Sequence, residues 1–186
     1  MNYYNIAFSE ASKKLQEYFG SRTTYSNVEK FGVKDGLSDN EIRFIDDRDS
    51  FYMASVGENG YPYIQHRGGP KGFVKVIDKQ TIAFLDFSGN KQFVSVGNIT
   101  SNDKVALIMV SYPHKARLKM YARAKLLSLE DNPELTQKLL LKNYKARAER
   151  IILLEVEAFD WNCPKHITPR YTLEEIETSI NSEPTT

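Results

Sequence analysis

A single cysteine, Cys163, excludes an internal disulfide framework, and three histidines leave little material for a closed metal centre. Cys163 and His166 supply only two candidate ligands; His66 and His114 stand far from them in sequence. No apolar run approaches the roughly 20 residues a membrane helix needs, the longest being Val105 to Val110 and Ile151 to Leu154. Net charge is nearly absent too, with 25 Lys+Arg against 24 Asp+Glu giving +1. A chain with no field of one sign and no basic stripe is not drawn to nucleic acid or an anionic membrane, so any phosphate site must be local. Met1 to Ser12 lacks the basic and apolar regions of a secretory signal, which makes a cytoplasmic address the expectation.

The 186 residues are 41% hydrophobic and 12% aromatic, enough for a proper core. They read as one domain over 1–186, with an N-terminal helical segment over 1–48 and a C-terminal loop and helix over 161–186. Helical spacing of Leu15, Tyr18 and Phe19 predicts a helix from Phe8 to Phe19, stopped by Gly20 and covering a sheet edge. Ser38-Asp39-Asn40-Glu41 has the spacing of a capping box and opens a second helix. Two hairpins follow: Phe51–Gly57 with Tyr61–Arg67 around Glu58-Asn59-Gly60, and Phe73–Ile77 with Thr81–Phe87. A helix capped by Ser88 is predicted over Ser88–Ile99. Strands are predicted at Lys104–Ser111, Ala116–Ser128 and Arg150–Phe159, with a helix from Asn132 to about Leu141. Trp161 to Arg170 reads as a Pro-interrupted loop before a terminal helix from Leu173 to Ile180. The sum is mainly β: an antiparallel barrel with peripheral helices. No Gly-x-Gly-x-x-Gly follows a strand, and Gly68-Gly69-Pro70-Lys71-Gly72 lacks the Walker pattern.

Two segments carry chemistry. In Gln65-His66-Arg67-Gly68-Gly69-Pro70 the period of a strand puts Gln65 and Arg67 on one face and His66 on the other, offering an amide and a guanidinium fork to phosphate or carboxylate. The same residues also suit a solvated strand end whose glycines make a turn. In Asp86-Phe87-Ser88-Gly89-Asn90-Lys91 a strand passes into a helix through small polar residues, where free N–H groups, a hydroxyl and a lysine suit a phosphate. A merely capped helix with an exposed Lys91 has the same residues.

These segments, with Phe51-Tyr52-Met53-Ala54-Ser55-Val56 and Phe84-Leu85, resemble the pyridoxamine 5'-phosphate oxidase-like family, most of all its flavin-nucleotide-binding branch. The resemblance covers about Ile42 to Arg170. It implies a Greek-key-like split β-barrel, a homodimer, and FMN in clefts at the dimer interface. It assigns the FMN phosphate to Arg67, Ser88 and Lys91, with Gln65, His66, Gly68, Gly89 and Asn90 as further contacts. It brings the C-terminal loop, with Trp161, Cys163, His166 and Arg170, towards the flavin, and makes Arg117 a possible contact or simply a carboxylate's partner. Cys163 and His166 are the catalytic candidates, although an inert thiol and a packed Trp161 fit the same sequence.

Oxidases acting on pyridoxamine phosphate carry a C-terminal Arg-x-His-x-Arg element. Here the residues two before His66, His114 and His166 are Ile64, Tyr112 and Pro164, so that reaction is not expected. The resemblance therefore implies an FMN-dependent oxidoreductase with another small-molecule substrate. The rival readings are a flavin-binding module without turnover, or the same barrel holding haem or a deazaflavin.

Overall fold

The computed structural model describes residues 1–181. Four helices come first: α1 Tyr3–Ala7, α2 Glu10–Tyr18, α3 Arg22–Phe31 and α4 Asp39–Asp46. Seven strands then make the body: β1 Ser50–Val56, β2 Pro62–Gly68, β3 Lys75–Asp78, β4 Thr81–Phe87, β5 Lys104–Ser111, β6 Ala116–Leu127 and β7 Ala148–Asn162. Helix α5 Val94–Ser101 lies between β4 and β5, α6 Pro133–Leu139 between β6 and β7, and α7 Leu173–Asn181 after β7. None of the described helices is long and apolar enough to cross a membrane.

The strands form one antiparallel sheet in the order β2-β1-β5-β6-β7-β4-β3. Alternation in sequence explains the faces: Val105, Leu107 and Met109 on β5 and Leu118, Met120, Ala122 and Ala124 on β6 point inward, while Arg117, Lys119 and Tyr121 take the other side. The sheet curls until its ends approach. Phe51 of β1 stacks on Phe73 and meets Phe84 of β4 edge-on, at centroid distances of 5.8 and 5.3 Å. No backbone ladder joins β2 to β3 or β4, so the barrel is split along that seam. Phe51 is 1% exposed, and truncating it to alanine would cost about 3–5 kcal/mol through lost transfer energy and the cavity left behind. β4 is buried on both faces because α6 covers its outer side, where Ala83, Leu85, Leu139 and Ile151 make a second small core.

Local signals explain the hairpin and α4. Gly60 adopts φ +80°, and Asn59 Oδ1 accepts the Tyr61 N–H at 3.1 Å, which turns β1 into β2. Ser38 and Glu41 complete the capping box at the start of α4. Two expectations are corrected. Helix α2 does not cover a sheet edge; it packs on α3, buries none of its residues, and leaves the sheet to α1, which lies on β6 and β7. The helices α1 and α3 carried little signal, because α1 has five residues and α3 is rich in the weak helix formers Thr, Ser, Asn and Val. Strand β7 runs on to Asn162, so Trp161 sits on a strand paired with Leu118 rather than in a loop.

Candidate functional site

The predicted helix from Ser88 starts six residues late. The Ser88 N–H donates to the Arg147 carbonyl at 2.8 Å, which prolongs the path of β4 beside β7, and α5 begins only at Val94. The register of β4 on β7 shifts between Asp86 and Phe87, a bulge that re-aims the side chains at the strand end. Between strand and helix, Lys91 and Phe93 take left-handed φ values of +59° and +53°. Each such non-glycine residue costs roughly 1–2 kcal/mol. This turn encloses a small cleft at the open seam of the barrel.

The cleft is lined by Tyr63, Gln65 and Arg67 from β2, Asp86 and Phe87 from β4, Gly89 to Phe93 from the turn, Val94 to Val96 from α5, and Glu149 from β7. Its volume is about 80 Å³, room for a small polar group. A chain of polar contacts runs along its floor. Arg67 pairs with the buried Asp86 through one amino group and donates through the other to Ser95 Oγ at 2.6 Å; Ser95 Oγ donates to Gln65 Oε1 at 2.7 Å. Arg150 reaches the second Asp86 oxygen at 3.5 Å and pairs with Glu149 at 2.8 Å. Arg67 Nε is buried with no partner. The first turn of α5 lacks a side-chain cap, so its N–H groups face the cleft without intrahelical acceptors. Lys91 forms no ion pair among the described residues and stands exposed at the rim.

Arg67, an uncapped helix end and a lysine line one small volume, a donor set that suits a phosphate. Arg67 lines the cleft with its charge already paired to Asp86. Of the other predicted contacts, Gln65, Gly89, Asn90 and Lys91 line the cleft, and Ser88 does not. His66 takes the opposite face of β2, edge-on to Tyr52 at 5.5 Å, and with Gly68 it lines a neighbouring cavity of about 180 Å³ that also touches Arg67 and Asp86. The following glycines answer to packing: a Cβ on Gly69 would meet Phe73 at 2.8 Å, and Gly72 has φ +75°.

The C-terminal candidates gather elsewhere on the chain. Trp161 packs edge-on to Phe44, donates Nε1–H to Glu41 Oε1 at 2.6 Å, and lines an open groove with Arg43, Arg48 and His114. Arg117 donates to the Cys163 carbonyl at 2.8 Å rather than to a carboxylate. Cys163 is exposed, His166 has φ +65°, and the Arg170 guanidinium lies 4.9 Å from the Tyr112 ring centre. None of these five side chains lines the cleft. Asp86, Ser95, Glu149 and Arg150 were missed as site residues. One signal was available for Asp86, a lone acid in the apolar run Ile82 to Phe87, where burial demands a cationic partner.

No match was found among curated proteins. In solved structures, a HupZ variant from Group A Streptococcus has a TM-score of 0.52 at 14% identity, over 68% of this chain and 99% of that one. A candidate pyridoxamine 5'-phosphate oxidase from Lactobacillus delbrueckii has a TM-score of 0.52 at 18% identity, over 68% of this chain and 95% of that one. At these identities the likeness is one of fold. The sequence pattern of the pyridoxamine 5'-phosphate oxidase family matches residues 38–165, from the capping box of α4 to the loop after β7. That match spans most of the chain and every strand of the split barrel, and the chain belongs to the pyridoxamine 5'-phosphate oxidase family.

Proposed function

We propose that this protein binds FMN with its phosphate in the seam cleft and acts as an FMN-dependent oxidoreductase on a small molecule. The observation that carries the reading is that Arg67, the uncapped start of α5 and Lys91 line one small cleft together. Bound there, the flavin supplies electron or hydride transfer, and the protein supplies binding, orientation and electrostatics. Arg67 and the N–H groups of α5 orient the phosphate, Lys91 offsets its charge, and Gln65 and Asn90 offer further hydrogen bonds. The remainder of the cofactor extends beyond the cleft into adjoining surface, such as the wider groove that shares Tyr63 and Val94 with it.

A homodimer belongs to the same reading. Tyr52 and Ile64 are 44% and 65% exposed on the outer face of β1 and β2, where they line an apolar hollow with Ala54, Ala106 and Ile108. A second copy covering that face would bury them and bring a second set of surfaces to the flavin. The alternative, flavin binding without turnover, is favoured by one observation: Cys163 and His166 lie off the cleft within the chain.

Absorbance of the purified protein, followed by titration with FMN and with riboflavin, tests the proposal. Flavin binding that depends on the phosphate, with bleaching by NADH or NADPH under anaerobic conditions, is the expected result. Binding without bleaching by any reductant selects the carrier reading, and no binding of either flavin overturns both.

A further inference from the structure

The charged side chains that line the cleft cancel one another. Arg67 and Lys91 are matched by Asp86 and Glu149, so the lining alone carries no net charge to attract an anion. Arg150 stands behind the lining and tips the balance. It touches three residues of the cleft without lining it: one amino group lies 3.5 Å from Asp86 Oδ2, the other donates to Glu149 Oε2 at 2.8 Å, and the guanidinium lies 5.3 Å from the Phe93 ring centre. The bulge at the end of β4 explains this reach. Asp86 is paired with Arg150 and Phe87 with Ala148, which leaves Glu149 as the extra residue on β7. Successive side chains of a regular strand take opposite faces, whereas at this bulge the neighbours Glu149 and Arg150 meet each other and serve one site.

We propose that Arg150 makes the cleft receptive to a phosphate by holding both carboxylates of its lining, without itself belonging to that lining. The inference rests on the flavin reading above and deepens it. Asp86 is 6% exposed, so its charge is not dispersed by water and must be met by neighbouring cations. Without Arg150, Asp86 would be left to Arg67 and Glu149 would stand with no partner beside Lys91. With Arg150 in place, three cations face two anions, and the surplus falls to Arg67 and Lys91, the cations that line the cleft. Arg150 therefore acts through the residues around it, and its effect should be confined to ligands that carry the phosphate.

The test is fluorescence titration with FMN and riboflavin at neutral pH and low ionic strength, read as the preference for FMN over riboflavin. Arg150→Gln is expected to lower that preference about three- to tenfold, and Glu149→Gln to raise it by a similar factor. The double variant Glu149→Gln, Arg150→Gln has the same net charge as the wild type and is expected to recover its preference. A merely structural role for Arg150 would not be rescued by removing a second member of the same network. Should Arg150→Gln fail to fold, Glu149→Gln decides alone. An Arg150→Gln protein that weakens both flavins equally, or neither, overturns the proposal and leaves the flavin reading standing. So does a double variant as weak as Arg150→Gln, or a Glu149→Gln protein with unchanged preference. Wild-type protein that binds FMN no better than riboflavin overturns the proposal together with the placement of the phosphate, and failure of both flavins to bind overturns the flavin reading itself.

Discussion

Arg67 of β2 and Asp86 of β4 meet across the open seam of the barrel, where no backbone ladder joins the two strands. The pair does what main-chain hydrogen bonds do elsewhere in the sheet, and it does so in the wall of the candidate site. Arg67→Ala would leave Asp86 buried with only the longer Arg150 contact. Loss of one partner from a buried pair costs about 3–5 kcal/mol, and the remaining arginine places the expectation at the lower end. Urea unfolding measures it; a change below about 0.5 kcal/mol, the range of ordinary surface substitutions, would show that the seam does not depend on this pair.

Lys91 separates binding from folding. It is exposed, sits at the rim, and has no ion pair among the described residues. Lys91→Ala should therefore leave stability within about 0.5 kcal/mol while weakening FMN binding and leaving riboflavin binding unchanged. Equal weakening for both flavins would move the phosphate away from Lys91.

Much of the fold was legible because strands advertise their faces. The alternation of Leu118, Met120 and Ala122 with Arg117, Lys119 and Tyr121 reads directly as inside and outside, and Ser38 with Glu41 reads as a cap. The approach to the site was less legible. Ser88 has a good capping side chain, yet its N–H is taken by Arg147, and the true helix start at Phe93 has a left-handed backbone that no local motif announces. Gln65 and Arg67 could be assigned to one face from the period of two. Their meeting with Asp86, Glu149 and Arg150 depends on how far the sheet curls and on the pairing of β4 with β7, contacts too distant in sequence for local patterns to encode.

Glu41 ties the N-terminal helices to the end of β7. Its carboxylate accepts from the Ser38 N–H at 3.0 Å and from Trp161 Nε1 at 2.6 Å. Burial opposes its ionisation, but the hydrogen bonds from Ser38 and Trp161 outweigh it and hold the carboxyl below its ordinary value. A lowered folded value means that the stabilisation is present above about pH 4.5 and is lost as pH falls through the folded value. Glu41→Ala should cost about 2 kcal/mol by removing the cap interaction and leaving Trp161 Nε1 unpaired, and it should flatten the acid side of the stability profile. A profile as steep as that of the wild type would assign the acid sensitivity to other carboxyls.

Tyr4 makes the matching alkaline prediction at the other end of the N-terminal segment. Its hydroxyl donates to Asp160 Oδ1 at 3.1 Å, fastening α1 to β7. Burial, followed by the charge of Asp160, pushes the phenol up to about 12 from its ordinary value of 10. Because the folded state favours the protonated phenol, this contribution is complete below about pH 10 and disappears as pH rises through about 12. Tyr4→Phe removes one hydrogen bond, so it should cost about 1 kcal/mol at neutral pH. Only the wild type loses stability as the phenol ionises, so the cost should shrink above about pH 10, and the stability curves of wild type and variant should close and then cross on the alkaline side. Curves that stay parallel from pH 8 to pH 12 would mean that the Tyr4 hydroxyl does not hold α1 against β7.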